Sequence, residues 1–300
     1  MTKVRNRGVM LVVVLVLAAT LGGCTRDRAI ALKAAAERFA GQAASAIDAS
    51  IDLHVRATYG PPQADELMLA RARNAVYLTQ QISVAVLPQV ITDSFKWVGE
   101  REEFRRSAFP EAPQLKQAYA EFAVAFRRLP EGSLVAARDV TCAAGLGARL
   151  VGYMVRAART LQANPVPLID ETTDSAATIR RVAADAVRTQ NQLALDAPLR
   201  SHMALLREQS RANQEVVAKL TDAAEAGVAV LDMIEKYDDV SAADLAAAVR
   251  RVLVVRESSF GLSSQAQLQR LDQVMESIAS KDALWTAANL PLNQQPADCQ

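Results

Sequence analysis

The chain has 300 residues, 51% of them hydrophobic and 5% aromatic, which is enough apolar material for a large core in one domain or two. Its 34 basic residues balance 33 acidic ones for a formal charge of +1. With no basic excess to release counterions from a polyanion, nucleic acid is excluded as a partner. The sparse aromatics argue against a carbohydrate-stacking surface.

Lys3, Arg5 and Arg7 precede an apolar run from Val9 to Ala19, and small residues lead into Leu21-Gly22-Gly23-Cys24. A basic start, a short apolar core and a small-residue cut site are the parts of a secretory signal. The uncharged stretch from Gly8 to Gly23 is shorter than the roughly 20 residues a spanning helix needs. The segment resembles the signal peptide and lipobox of bacterial lipoproteins, and the resemblance covers residues 1–24 only. It implies that residues 1–23 are removed and that Cys24 is acylated and becomes the first residue. Two or three acyl chains make a stable anchor, so the membrane is an expected partner through the lipid on Cys24. Thr25 stands where many Gram-negative lipoproteins carry an aspartate that retains them at the inner membrane. The resemblance therefore implies a place in the cell envelope, on the outer membrane facing the periplasm.

That compartment permits disulfides. Cys142 and Cys299 are the remaining cysteines. One reading pairs them, closing a loop long enough to stabilise by up to roughly 5 kcal/mol in the chain-entropy model. The other makes Cys142 a buried helical thiol and Cys299 an exposed tail thiol.

The body reads as helical nearly throughout. A first helix is expected from Ala29 to about Ala57, with Phe39, Ala43, Ile47 and Ile51 on one side and Tyr59-Gly60-Pro61-Pro62 at its end. Only Thr25 to Arg28 would separate it from the lipid, about 14 Å if extended. A second helix is predicted over 63–87, broken or kinked at Pro88, and a third over 90–106, stopped by Pro110 and Pro113. Leu115, Tyr119, Phe122, Phe126 and Leu129 mark an amphipathic helix with Arg127 and Arg128 in its last turn. Pro130-Glu131-Gly132 is a turn, and Ser133 a candidate N-cap for a helix to about Gln162.

Asn164-Pro165-Val166-Pro167 is the strongest internal punctuation and marks the expected midpoint. The predicted organisation is an N-terminal bundle over 24–163, a C-terminal bundle over 168–290 that could be continuous with it, and a loose tail over 291–300. After the midpoint, Thr173 or Asp174 caps a helix, and Asp196-Ala197-Pro198 interrupts the chain. A long helix over 198–237 follows. Along it Leu199, Met203, Leu206, Ser210, Asn213, Val217, Leu220, Ala224, Gly227, Leu231 and Ile234 recur in steps of four and three. This is a coiled-coil-like heptad seam, about 54 Å long. Its small and polar members allow close backbone approach or fix register. Ser241 and Asp244 then open a helix to about Val255, Gly261 ends it, and Ser263 or Ser264 starts another before a short piece around Trp285. The expected fold is all-α, an elongated antiparallel helical bundle of about nine helices.

Chemistry is hard to find along this frame. His54 and His202, the only histidines, lie on different helices without carboxylates or cysteines at metal-binding spacing, and read as surface residues. No hydrolase elbow or Ser-x-x-Lys motif is present. Gly145, Ala148 and Gly152 fall at i, i+3 and i+7, a small-residue face suited to close helix approach. The acidic run Asp170 to Asp174 reads as a helix start, and the pairs Arg105-Arg106, Arg180-Arg181 and Arg250-Arg251 as solvated faces. No catalytic residue, cofactor or metal is expected, and the protein is not expected to be an enzyme. The favoured function is an envelope scaffold or adaptor whose seam accepts a protein partner. The alternative is a periplasmic small-molecule-binding or sensory bundle, with a cavity left by Gly145, Ala148, Gly152, Ala224 and Gly227.

Overall fold

The computed structural model describes residues 5–60, 66, 68–70, 72–74, 87–127, 137–189, 192–235 and 259–299, with side chains from residue 30 onward in most of them. Within these the protein is all-α, with no strand. The helices are α1 (Arg5–Tyr59), α2 (Leu87–Phe104), α3 (Ala112–Arg127), α4 (Ala137–Ala163), α5 (Ile169–Thr189), α6 (Asp196–Glu235), α7 (Ser264–Ala279) and α8 (Asp282–Asn289). Short 3-10 turns cover Gln192–Leu195 and Ala297–Cys299. The helices expected over most of 63–86 and over 241–255, and the Ser133 cap, lie outside the described residues. Among the described residues no helix is long and apolar enough to cross a membrane.

Several boundaries differ from expectation for one reason. Pro88 and Pro113, expected to break or stop helices, are each the second residue of one, α2 and α3, and the expected interruption at Asp196-Ala197-Pro198 is the first turn of α6, with Pro198 its third residue. In a first turn the missing N–H is no loss and the fixed φ suits the helix. α5 likewise begins at Ile169, ahead of Thr173, so residues 170–174 lie in its first two turns. α1 is unbroken across Thr25 to Arg28, ahead of the helix start expected near Ala29. Gly22 and Gly23 each cost a helix only about 1 kcal/mol, and helix-forming residues flank them. Two ends follow the sequence signals. Gly60 (φ 79°) closes α1, donating its N–H to the Arg56 carbonyl at 2.9 Å. Ser263 caps α7 by accepting from Ala266 N.

Two compact units result, and the Asn164–Pro167 punctuation does not divide them. One comprises residues 1–45, 114–156 and 219–300, the other 46–113 and 157–218. The long helices α1, α4 and α6 contribute to both, so each unit draws on both halves of the sequence.

In the first unit Phe39 of α1 meets Phe122 of α3 edge-on at 5.0 Å, and Phe126 follows at 5.7 Å. Leu115, Leu150, Met154, Leu220, Leu271 and Ile278 are fully buried in the same unit. Gly227 of α6 is needed here. A Cβ on it would lie 2.4 Å from Val151 Cγ2 and 2.8 Å from the Phe39 ring. α7 runs in the same direction as α6, because their pairings climb together. Asp222 accepts from Ser259 N at 3.0 Å and Ser259 Oγ at 2.6 Å, just before α7. Arg270 forks onto Glu225 at 2.7 and 2.8 Å, and Lys281 reaches Asp232.

In the second unit α1 and α2 are antiparallel. Asp52 pairs with Arg105 at 2.7 Å, while Tyr59, seven residues on, packs against Trp97 and Phe104. Arg56 reaches Glu208 of α6 at 2.7 Å. Asn213 pins the proline turn before α5. Its Oδ1 accepts from Val166 N at 2.8 Å, and its Nδ2 donates to Val166 O and to Gln209 O, both at 2.9 Å. Pro165 and Pro167 have no N–H of their own, so Val166 supplies the donor that holds the turn. The polar seam position thus serves this chain's own turn.

Candidate functional site

α4 carries Cys142, Gly145, Arg149, Gly152 and Arg156 in steps of three and four, which places them along one face. The C-terminal segment lies on that face. Cys142 and Cys299 are joined, with Sγ atoms 2.00 Å apart and Cα atoms 4.8 Å apart. A Cβ on Gly145 would be 3.0 Å from Pro296 Cβ, and one on Gly152 would be 2.2 Å from the Ala288 carbonyl oxygen. Arg149 Nη1 donates to Gln294 O at 2.8 Å, and Arg156 Nη1 to Ala288 O at 3.2 Å, its guanidinium stacked over Tyr153. The tail expected to be loose over 291–300 is therefore tied down by the disulfide, Arg149 and Gly145, while Arg156 and Gly152 hold the end of α8 just before it. Its polar composition hid this, because Arg149 grips its main chain rather than its side chains.

Arg149 is the most unusual side chain in this unit. It is 1% exposed, pairs through Nη2 with Glu121 of α3, and leaves Nε without an acceptor. Gln117, one turn earlier, donates to the other Glu121 oxygen at 2.9 Å. A buried charge is tolerable only when paired, and this one also takes a carbonyl from the C-terminal segment. Sequence reading recognised the glycines of this face and missed Arg149. The recurrence of 142, 145, 149, 152 and 156 was the available signal.

The small-residue positions do not open onto a ligand space. Gly145 and Gly152 meet the C-terminal segment, Gly147 meets Phe122 and Leu231, and Gly227 meets Val151 and Phe39. Ala148 and Ala224 are fully buried. At Gly145, Gly152 and Gly227 the room a side chain would need is filled by the chain itself.

In the second unit the seam of α6 behaves differently along its length. Leu199, Met203 and Leu206 are 45%, 49% and 40% exposed. From Asn213 onward the seam is buried; Asn213 and Val217 belong to the second unit, and Leu220 to Ile234 to the packed core of the first. Only the start of the heptad pattern remains open. Arg200 and Arg207 flank it, and both are exposed.

His54 is not the surface histidine expected. It stacks on Phe109 at 4.6 Å and its Nδ1 lies 2.7 Å from the Ser50 carbonyl, to which it can donate. Burial pushes its pKa below the usual imidazole value, opposed by the Ser50 hydrogen bond and the Glu111 charge. His202 is half-buried, and its Nδ1 lacks a hydrogen-bond partner. Among the described residues, no cluster of three or more His, Cys, Asp or Glu is arranged to hold a metal. Cys24 lies within α1. No protein family, known protein or solved structure matches this chain.

Proposed function

We propose that this is a lipid-anchored helical adaptor of the bacterial envelope, held at the membrane by acylated Cys24 and engaging an apolar helix of a protein partner through the open start of the α6 seam. The observation that carries the reading is the row Leu199, Met203 and Leu206. Each of these large apolar side chains is at least 40% exposed on successive seam positions of a regular helix. Exposed apolar side chains scattered singly need no explanation, but a row at heptad spacing is what a facing helix reads. Arg200 and Arg207 beside it suit a partner with acidic flanks. The filled positions at Gly145, Gly152 and Gly227 give the small-molecule reading no support.

A photoreactive residue at Met203, irradiated in intact cells, tests the interface. The adaptor reading expects a discrete adduct that disappears when Leu199 and Leu206 are both changed to Asp. A probe at Gly41, on an open face of α1, should give no such adduct. No adduct at Met203, or one indifferent to the Asp substitutions, would remove the interface.

A further inference from the structure

We infer that the Cys142–Cys299 disulfide is a thiol-operated latch. It holds residues 290–299 as a strap in a peptide-binding groove on α4, and its reduction frees the strap while leaving the surrounding helices folded. Four observations support this.

The strap lies mostly at the surface. Pro291, Asn293, Gln294, Gln295 and Ala297 are exposed, and Pro296 is buried, seated against Gly145. Gln294 N donates to Pro291 O at 3.1 Å, and Cys299 N to Pro296 O at 2.9 Å in the closing 3-10 turn. The groove grips main chain, since Arg149 donates to a strap carbonyl and Gly145 supplies a floor without a Cβ. An extended peptide is the ligand class such a surface takes. Finally, both cysteines are half-buried, so neither is sealed in the core.

The exchange balances with a dithiol reductant. One thiolate of the reductant attacks a protein sulfur, breaking the 142–299 bond and forming a mixed disulfide. Its second thiolate then attacks the mixed disulfide, closing the reductant's own disulfide and releasing the second protein sulfur. The protein gains two electrons and two protons, and the reductant loses them. With the strap gone, Arg149 keeps its Glu121 partner and loses its Gln294 acceptor, so its donors become available to another peptide carbonyl.

The inference is independent of what α6 binds. Hydrogen exchange on the full protein, before and after dithiothreitol, tests the latch. Amides of Gln294 and Cys299 should exchange about tenfold faster or more after reduction, while those of α3 and of α6 beyond residue 219 keep their protection. A fluorescent peptide of residues 287–300 that keeps Cys299, added to full-length Cys299→Ser protein under oxidising conditions, should become disulfide-linked to Cys142 faster than a scrambled peptide of the same composition. Neither peptide should label the oxidised wild type. Unchanged strap exchange would overturn the latch, as would loss of protection throughout the unit, which is the behaviour of a simple staple. Equal labelling by the two peptides would overturn the groove.

Discussion

The same substitution, glycine to alanine, should have opposite signs at two helical positions. In a helix interior alanine is favoured over glycine by about 1 kcal/mol. At Gly41 of α1 nothing lies within 4 Å of the added Cβ, so Gly41→Ala should gain close to that amount. At Gly152 of α4 the Cβ would sit 2.2 Å from the Ala288 carbonyl oxygen and 3.0 Å from its carbon. The obstacle is backbone at the end of α8, so no side-chain rotation relieves it. Overpacking of this kind costs about 1–3 kcal/mol, and the displaced carbonyl is also the acceptor for Arg156, worth about another 1 kcal/mol. Subtracting the helix-propensity gain leaves Gly152→Ala destabilised by about 1–3 kcal/mol. Thermal melts of both variants, followed by helical circular dichroism, should therefore move in opposite directions from wild type, by roughly 2–4 °C per kcal/mol. If Gly152→Ala is as stabilising as Gly41→Ala, the packing of the C-terminal segment on α4 is wrong.

Two further variants probe the second unit. Asn213→Leu fits the apolar seam pattern but strips Val166 of partners for both its N–H and its carbonyl. It should destabilise by about 2–4 kcal/mol, read as a lowered urea midpoint, with less than about 1 kcal/mol contradicting the turn-pinning role. His54 sets a pH dependence. Its folded-state pKa is depressed by burial, so below about 6.5 the unfolded chain takes the proton first. The stability from neutral His54 is present above that pH and is lost as pH falls through the folded-state value. Urea midpoints should fall between pH 7.5 and 5, and His54→Gln should show a shallower fall. An identical slope in the variant would place the titration elsewhere.

Helix identity was legible because the 3.6-residue period runs through almost the whole body, and glycine and serine signals at Gly60 and Ser263 stop and start helices as their chemistry dictates. The prolines misled where only position decides their effect. At the second residue of α2 and α3, and the third of α6, a proline starts a helix, and composition alone cannot separate that from a break. The division into units was hidden for a different reason. Local punctuation at Asn164–Pro167 reports a turn, whereas packing joins segments that are far apart in sequence. Asn213 shows the same limit. A polar residue in an apolar seam advertises a special contact, but that its partner would be Val166 depends on the tertiary fold. Arg149 was passed over because one buried arginine resembles the other 26 until its surroundings are known.

The adaptor reading requires a membrane anchor, and the mass of the N-terminal peptide tests that most directly. Protein recovered from the envelope fraction should begin at Cys24 and carry the added mass of two or three acyl chains, and Cys24→Ser should abolish both the processing and the added mass. A chain that still begins ahead of Cys24, or an unmodified Cys24 in membrane-associated protein, would contradict the account.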